Sequence, residues 1–249
     1  MRYFVELSYH GRQYHGWQIQ ANEISVQETI ERALSLLLKQ EISVVGCGRT
    51  DAGVHARQFF LHFDHENQID KEKLKYKLNS FLPEDIAIFQ LQNVVDEAHA
   101  RFNAVSRSYQ YQILLGKNVF ENDQSLQIYQ IDLDVEKMNE AASLLKEYTD
   151  FKCFSRSKTD VKTYDCNVEE AYWSLEGEHL TFFISANRFL RNMVRAIVGT
   201  LLEVGKGRMT LDDFRHVIES RDRKMAGASV KAKGLYLTRV VYPESIFIK

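Results

Sequence analysis

Apolar and polar residues alternate at the start of the chain. Tyr3, Val5, Leu7 and Tyr9 share one face of residues 2–9, and this two-residue period predicts a half-buried β-strand. Other segments alternate in the same way or are rich in β-branched and aromatic residues, which also predicts strands. They cover residues 42–47, 58–63, 86–94, 106–115, 168–175, 180–186 and 235–242.

Elsewhere the apolar residues recur every three or four positions, which predicts amphipathic helices. Ser25 and Glu28 form a capping box at the start of the first helix, and Pro83 lies just beyond the end of the second. Residues of these types begin and end helices. The predicted helices cover residues 26–37, 71–81, 135–148 and 189–204, with an extra helix from Thr210 to about Ser220.

The order of these elements is β-α-β-β-α-β in each half of the chain, which is the ferredoxin-like (split βαβ) arrangement. We therefore predict an α+β fold with two domains, residues 1–105 and residues 106–249. Two such halves side by side would form one continuous mixed β-sheet with helices on one face. The other face would be open, and RRM modules bind RNA on a related surface.

The composition restricts the function classes. Of the 249 residues, 45% are hydrophobic, which is enough for one large core or two modest ones. With 32 basic and 34 acidic residues the formal net charge is −2, which excludes a strongly cationic tail and a disordered acidic protein. The charge is segregated, because residues 186–233 carry 11 Lys/Arg and 5 Asp/Glu whereas residues 117–151 carry 3 and 8. A polyanion would therefore bind to a local basic region.

The chain has three cysteines, Cys47, Cys153 and Cys166, and no C-x-x-C pair. This argues against a disulfide framework or a zinc site and fits a reducing cytoplasm. No apolar run approaches the roughly 18 residues of a membrane span, and Glu6 interrupts the segment that a signal peptide would keep apolar. The spacing of His62 and His65 puts them on opposite faces of a strand, so no catalytic metal is expected.

One connection between two predicted strands stands apart because it is rich in glycine and carries Arg49 and Asp51 two residues apart. Its sequence over residues 46–56 is Gly-Cys-Gly-Arg-Thr-Asp-Ala-Gly-Val-His-Ala. An ordinary turn with a capping Asp and a surface Arg would have the same composition. Spacing alone leaves both interpretations open.

The stretch Gly-Arg-Thr-Asp-Ala-Gly-Val-His-Ala closely resembles the signature of the TruA family, the tRNA pseudouridine synthases that act in the anticodon stem-loop. Four further segments resemble that family's motifs in the same order along the chain. They are residues 14–18 with 26–27, residues 100–102 with 106–111, residues 189–199, and residues 234–237 with 242–243. The resemblance implies two ferredoxin-like halves with the active site in the cleft between them.

The resemblance implies a homodimer that binds tRNA and converts uridine to pseudouridine at positions 38, 39 and 40 without a cofactor. It gives Asp51 the role of catalytic carboxylate. Covalent attack of Asp51 on C1′, as in retaining glycosidases, and removal of the C2′ proton to give a glycal are both open. Cys47 is interpreted as a small buried residue.

The resemblance also implies roles for four substrate-binding residues. Arg195 would pair with the catalytic aspartate, Tyr109 would stack on the target uracil, Arg49 would contact the RNA backbone, and Leu235 would form an apolar wall under the base. Each has an ordinary alternative: Arg195 as a helix-surface arginine, Arg49 as a surface arginine on a turn, and Tyr109 and Leu235 as core residues. The target uridine would have to leave the base stack.

Residues 227–233, Gly-Ala-Ser-Val-Lys-Ala-Lys, depart from the family pattern because they lack the prolines common before Gly-Leu-Tyr-Leu. This predicts a more flexible loop.

Two rival hypotheses about function stay open at this stage. One is a non-catalytic RNA-binding module on the same fold, and the other is a metal-dependent enzyme that hydrolyses nucleotides.

Overall fold

A computed structural model describes residues 1–129, 131–156 and 161–248. The chain divides into two compact units. The first unit contains residues 1–106 together with the C-terminal residues from Tyr236 onward, and the second contains residues 107–235. The sequence-based division at residue 105 assigns the C-terminal segment to the second half, whereas here it belongs to the first unit.

The described residues form nine strands and five α-helices. The strands are β1 (Arg2–Tyr9), β2 (Val45–Gly46), β3 (His55–Asp64), β4 (Ile86–Val94), β5 (Ser106–Leu114), β6 (Leu126–Gln127), β7 (Val168–Glu176), β8 (His179–Ala186) and β9 (Leu235–Val241). The helices are α1 (Val26–Leu38), α2 (Lys71–Phe81), α3 (Val135–Leu144), α4 (Met193–Gly205) and α5 (Leu211–Ser220).

In the first unit, β1 lies between β4 and β3 and is antiparallel to both. The edge of β3 opposite β1 pairs with two strands. β2 pairs with it as an antiparallel strand, and β9 pairs with it as a parallel strand through His55–Tyr236 and Ala56–Leu237. Because side chains alternate along a strand, one face of β1 and β3 buries a continuous aromatic and aliphatic core. Tyr3, Val5, Leu7, Phe59, Leu61 and Phe63 belong to it.

In the second unit, β8 lies between β5 and β7 and is antiparallel to both, while β6 adds to β5 as a short parallel strand. α4 is the most buried helix, since most of its side chains have less than a tenth of their surface exposed. It packs with α3 and α5. A reciprocal capping box between Thr210 and Asp213 begins α5, as the sequence predicts.

The α+β class with mixed strand pairing is confirmed, and the elements of the first unit follow the predicted β-α-β-β-α-β order. Three elements differ locally from the prediction. The strand predicted at residues 42–47 is reduced to Val45–Gly46. α4 begins at Met193 instead of residue 189 because Asn192 adopts the left-handed region, with φ 67°, which a helix cannot include. α3 ends at Leu144 and tightens into a 3₁₀ turn.

Candidate active site

The loop after β2 carries Arg49 and Asp51, and we call residues 47–54 the Asp51 loop. Arg49 is exposed and Asp51 is half-buried. The loop begins where the Cys47 N–H donates to Phe60 O over 2.7 Å, and it ends in a tight turn in which the Val54 N–H donates to Asp51 O over 3.1 Å. The carboxylate therefore sits on a turn that is closed by its own backbone.

Residues 9–17 lie directly against the Asp51 loop. The Trp17 N–H donates to Thr50 O over 3.3 Å and the Gly53 N–H donates to Tyr14 O over 3.2 Å. Gly16 has φ +91°, and a Cβ there would collide with Thr50 O. Only glycine combines this φ with so close an approach of two backbones. The segment that resembles the family's N-terminal motif is thus the support of the loop that carries Asp51.

Two further contacts hold the middle of the Asp51 loop and the residue that follows it. The Tyr9 hydroxyl lies 2.9 Å from Thr50 Oγ1. The Gly11 N–H donates to Nδ1 of the buried His55 over 3.1 Å, so the proton of the neutral ring is on Nε2. The sequence did not indicate that Tyr9 and His55 support the loop. The only signal for this role was their position beside the glycine-rich segments.

Tyr14 anchors the supporting segment from the other side. Its hydroxyl donates to Asp85 Oδ1 over 2.6 Å. Burial and this hydrogen bond to a carboxylate both raise the pKa of Tyr14, because each disfavours the phenolate. Tyr14 therefore serves as a neutral donor in the support of the loop.

An open cavity of 410 Å³ in the first unit begins at His55, directly after the Asp51 loop. Planar groups lie close together along its wall. The His55 ring stacks on the Tyr236 ring, with 4.6 Å between the centroids, and it lies tilted against the His10 ring at 4.3 Å. The Arg57 guanidinium lies 5.0 Å from the centre of the Tyr236 ring. Burial raises the pKa of Tyr236 to about 12. Glu84 and Asp85 also line the cavity.

In the second unit, Tyr109 lies on β5 and is half-buried. Its ring meets Phe189 edge to face, with 5.0 Å between the ring centroids. Tyr111, two residues further on, is fully buried and its hydroxyl donates to Lys231 O over 2.7 Å. Tyr111 is thus a core aromatic, whereas Tyr109 is only half-buried.

Arg195 lies in the first turn of α4 and is half-buried. Its Nε donates to Val230 O over 2.8 Å, and the Val230 N–H donates back to Arg195 O over 3.2 Å. Leu235, the first residue of β9, is 6% exposed. Arg195 is thus not a freely moving surface arginine, while Leu235 is buried enough to serve as a core residue.

Residues 226–231, which we call the Val230 loop, are held by side chains of the same unit. Gly227 N–H donates to Thr200 Oγ1 over 2.9 Å, and Arg223 donates to Gly227 O over 3.1 Å. The missing prolines predict a flexible loop, but these contacts indicate a fixed one. Hydrogen bonds here restrict the backbone in the way that proline would.

A family model described as tRNA pseudouridine synthase matches residues 7–103 and 141–243. These ranges cover most of the chain. The chain belongs to the tRNA pseudouridine synthase family. The matched ranges contain Arg49, Asp51, Arg195 and Leu235, and Tyr109 lies between them.

Curated members of the tRNA pseudouridine synthase family match the chain from end to end. It is 51% identical to tRNA pseudouridine synthase A of Parabacteroides distasonis over 249 residues, covering 99% of this chain and 98% of the relative. It is 51% identical to the Bacteroides thetaiotaomicron protein of that name, covering 99% and 92%. A more distant relative of the same name in Bacillus licheniformis is 40% identical over 97% of this chain and 99% of its own length.

Two further findings concern metal-binding groups and helices that could span a membrane. Within residues 1–129, 131–156 and 161–248, no group of three or more His, Cys, Asp or Glu side chains is placed to hold a metal ion. In that same part of the chain, no helix combines the length and the apolar character that crossing a membrane would need.

Proposed function

We propose that this chain converts uridine to pseudouridine at positions 38, 39 and 40 in the anticodon stem-loop of tRNA, without a cofactor. The observation that carries the proposal is the setting of Asp51. In this member of the tRNA pseudouridine synthase family, Asp51 is half-buried on a loop that backbone hydrogen bonds close and support. A carboxylate on a rigid support is what an oriented attack on a sugar requires.

The reaction is an isomerisation, so every atom of the substrate is kept. The bond between N1 and C1′ breaks, the detached uracil turns, and a bond forms between C5 and C1′ while the C5 proton leaves and N1 gains one. Asp51 either attacks C1′ or removes the C2′ proton. Because nothing is hydrolysed, the site must hold the uracil and keep water away from C1′.

The other four residues assist this carboxylate in the proposal. Arg49, exposed beside Asp51, contacts the RNA backbone and favours the flipped nucleotide. Tyr109, which is half-buried and meets Phe189 edge to face, stacks on the uracil. Arg195 holds the Asp51 carboxylate in its charged form, and Leu235 packs under the base.

Charge and composition support the tRNA partner. Residues 186–233 carry an excess of Lys and Arg and include Arg195, so we expect tRNA binding to weaken as salt displaces it from phosphate contacts. By resemblance, the enzyme is a homodimer.

The cysteine content fits a reducing cytoplasm. Burial raises the thiol pKa to about 12 at Cys153 and about 11 at Cys166, which disfavours the reactive thiolate.

The decisive experiment replaces Asp51 and measures tritium release from C5-labelled uridine in tRNA. Asp51→Asn should reduce turnover by more than about a thousandfold, while Glu66→Gln, which removes an exposed carboxylate of the same unit, should leave it unchanged. Near-normal turnover by Asp51→Asn would overturn the proposal.

The same assay tests the two rival functions. A non-catalytic RNA-binding module would bind tRNA without releasing tritium, and Asp51→Asn would not change its behaviour. A metal-dependent hydrolase would release free base and lose activity when a chelator is added. Mapping the modified positions in the product would decide between positions 38, 39 and 40.

A further inference from the structure

The Val230 loop packs directly on the helix that carries Arg195. A Cβ at Gly199 of α4 would collide with Ala228 O, and a Cβ at Gly227 would lie 2.9 Å from Gly199 O. Thr200 links the two backbones, because its hydroxyl accepts the Gly227 N–H over 2.9 Å and donates to Ala196 O over 2.8 Å. A displacement of the loop would therefore also displace α4.

The link between the loop and Arg195 is reciprocal. Arg195 Nε donates to Val230 O over 2.8 Å, and the Val230 N–H donates to Arg195 O over 3.2 Å. One bond ends on the side chain of Arg195 and the other on its backbone. The direction of the guanidinium is thus set by where the loop holds Val230.

Arg223 holds the loop in this place. Its Nη1 donates to Ala226 O over 3.3 Å and to Gly227 O over 3.1 Å, while its Nη2 donates to Ser229 Oγ over 2.9 Å. A guanidinium suits this task because its donors are fixed in one plane. Because Arg223 is half-buried, solvent weakens these bonds less than it would at an exposed position.

Asn192 supports the same serine from the helix side. It is the N-cap of α4, but its side chain makes no capping hydrogen bond. Its Nδ2 instead donates to Ser229 Oγ over 2.6 Å. The side chain of an N-cap asparagine normally accepts a hydrogen bond from its own helix. Here the side-chain amide of Asn192 binds the Val230 loop instead.

We propose that Arg223, together with Asn192 and Ser229, is a positioning residue for catalysis. It fixes the Val230 loop so that Val230 aims the guanidinium of Arg195. The inference rests on the proposed function, in which Arg195 holds the carboxylate of Asp51. A misplacement of about 1 Å near a reacting group can cost a hundredfold in rate, so the effect of the Arg223 contacts should appear in the chemical step.

The test compares Arg223→Gln with Arg221→Gln in single-turnover reactions at saturating anticodon stem-loop RNA. Arg221 lies in the same turn, but it is exposed and its Nε lies 3.1 Å from Asp150 Oδ2. Both variants lose one positive charge, so a loss of general attraction to RNA is shared. We expect the saturating rate of Arg223→Gln to fall about ten- to a hundredfold below that of Arg221→Gln. The RNA concentration at half-saturation should stay within about twofold between the two.

Two further variants separate positioning from stability. Ser229→Ala removes only the hydroxyl that accepts from Arg223 and Asn192, so it should fold normally and lose about three- to tenfold in saturating rate. Lys231→Pro restores rigidity by another route, because Lys231 already has φ −60° and ψ 146°, which proline adopts. In the Arg223→Gln background it should recover most of the lost rate, whereas a lost RNA contact would not be recovered.

Each other outcome overturns the proposal. Equal saturating rates for Arg223→Gln and Arg221→Gln would do so, and so would a defect confined to half-saturation or a rate that Lys231→Pro leaves unimproved. A failure of the proposed function is distinguishable, since it would appear as turnover by Asp51→Asn. Failure of this inference would appear as a normal rate for Arg223→Gln in an enzyme that Asp51→Asn inactivates.

Discussion

The Asp51 loop in the first unit is held mainly by backbone hydrogen bonds, while the Val230 loop in the second unit is held mainly by side chains. Trp17 and Gly53 join the Asp51 loop to its support through backbone hydrogen bonds. Arg223 and Thr200 perform that task for the Val230 loop with a guanidinium and a hydroxyl. Substitutions other than those to proline leave backbone donors and acceptors in place, so the two loops should fail under different mutations.

The largest effect is expected where a side chain is added to the backbone-held loop. Gly16→Ala places a Cβ against Thr50 O at φ +91°. Left-handed strain and the collision together should lower the free energy of unfolding by about 2–5 kcal/mol. The measurement is urea unfolding followed by the fluorescence of Trp17, in a Trp173→Phe background that leaves Trp17 as the sole tryptophan.

Gly48→Ala is the matched control for that measurement. It lies in the Asp51 loop as well, but a Cβ there would meet nothing within 4 Å. Its unfolding midpoint should stay close to that of the parent protein. If Gly16→Ala unfolded at the same urea concentration as Gly48→Ala, the close backbone approach would not be what holds the loop.

A smaller effect is expected when one hydroxyl is removed from the side-chain-held loop. Thr200→Val keeps the shape of the residue but leaves the Gly227 N–H without its acceptor, which should cost about 1–3 kcal/mol. Tyr9→Phe removes a hydroxyl contact from the Asp51 loop but leaves its backbone bonds in place, so it should cost less.

Hydrogen exchange would locate these two changes. Thr200→Val should speed exchange of the Gly227 and Val230 amides, whereas Tyr9→Phe should leave the Gly53 and Val54 amides protected. Equal loss of protection in both loops would contradict the difference that the contacts indicate.

The smallest expected effect is a pH dependence of the first unit. His62 is buried and its Nδ1 accepts the Ala100 N–H, and burial lowers its pKa to about 4. The unfolded chain, with an ordinary histidine pKa near 6.5, binds more protons between pH 6.5 and pH 4. Stability should therefore fall as the pH drops through this window and level off below it.

At pH 5 the loss attributed to His62 should be about 1–2 kcal/mol relative to pH 7. Comparison with His62→Asn in the same background isolates the histidine, since carboxylates stay largely ionised in this range. Trp17 fluorescence should report the shift. If parent and variant lost stability equally between pH 7 and pH 5, His62 would not be its source.

The elements with clear periodicity were predictable from the sequence. α2 and β4 have the predicted bounds, Lys71–Phe81 and Ile86–Val94, because an amphipathic repeat and Pro83 act locally. The start of α4 was not predictable, since it depends on the left-handed conformation of Asn192 and on the hydrogen bond of its side chain to Ser229. A pattern of apolar positions contains no information on such a pair.

For the site, the sequence indicated which residues to examine but not what holds them. Resemblance pointed to Asp51 and Arg195, and their catalytic roles stay predictions. The supports were invisible because each joins residues far apart in the chain, as Tyr9 joins Thr50 and Val230 joins Arg195. Glycines at close backbone approaches, such as Gly16, were the one local trace of these contacts.

The position of β9 has a consequence for the order in which the protein can fold during synthesis. The first unit takes its parallel strand from the C-terminal segment, and Tyr242 packs on Phe4 and donates to Ala100 O. Residues 107–235 are thus an insertion within the first unit. Domains generally fold as they leave the ribosome, but this unit must wait until β9 and the residues that follow it have been made. A nascent chain that lacks them would leave the unit that carries Asp51 unfinished, although residues 1–106 are translated before the second unit.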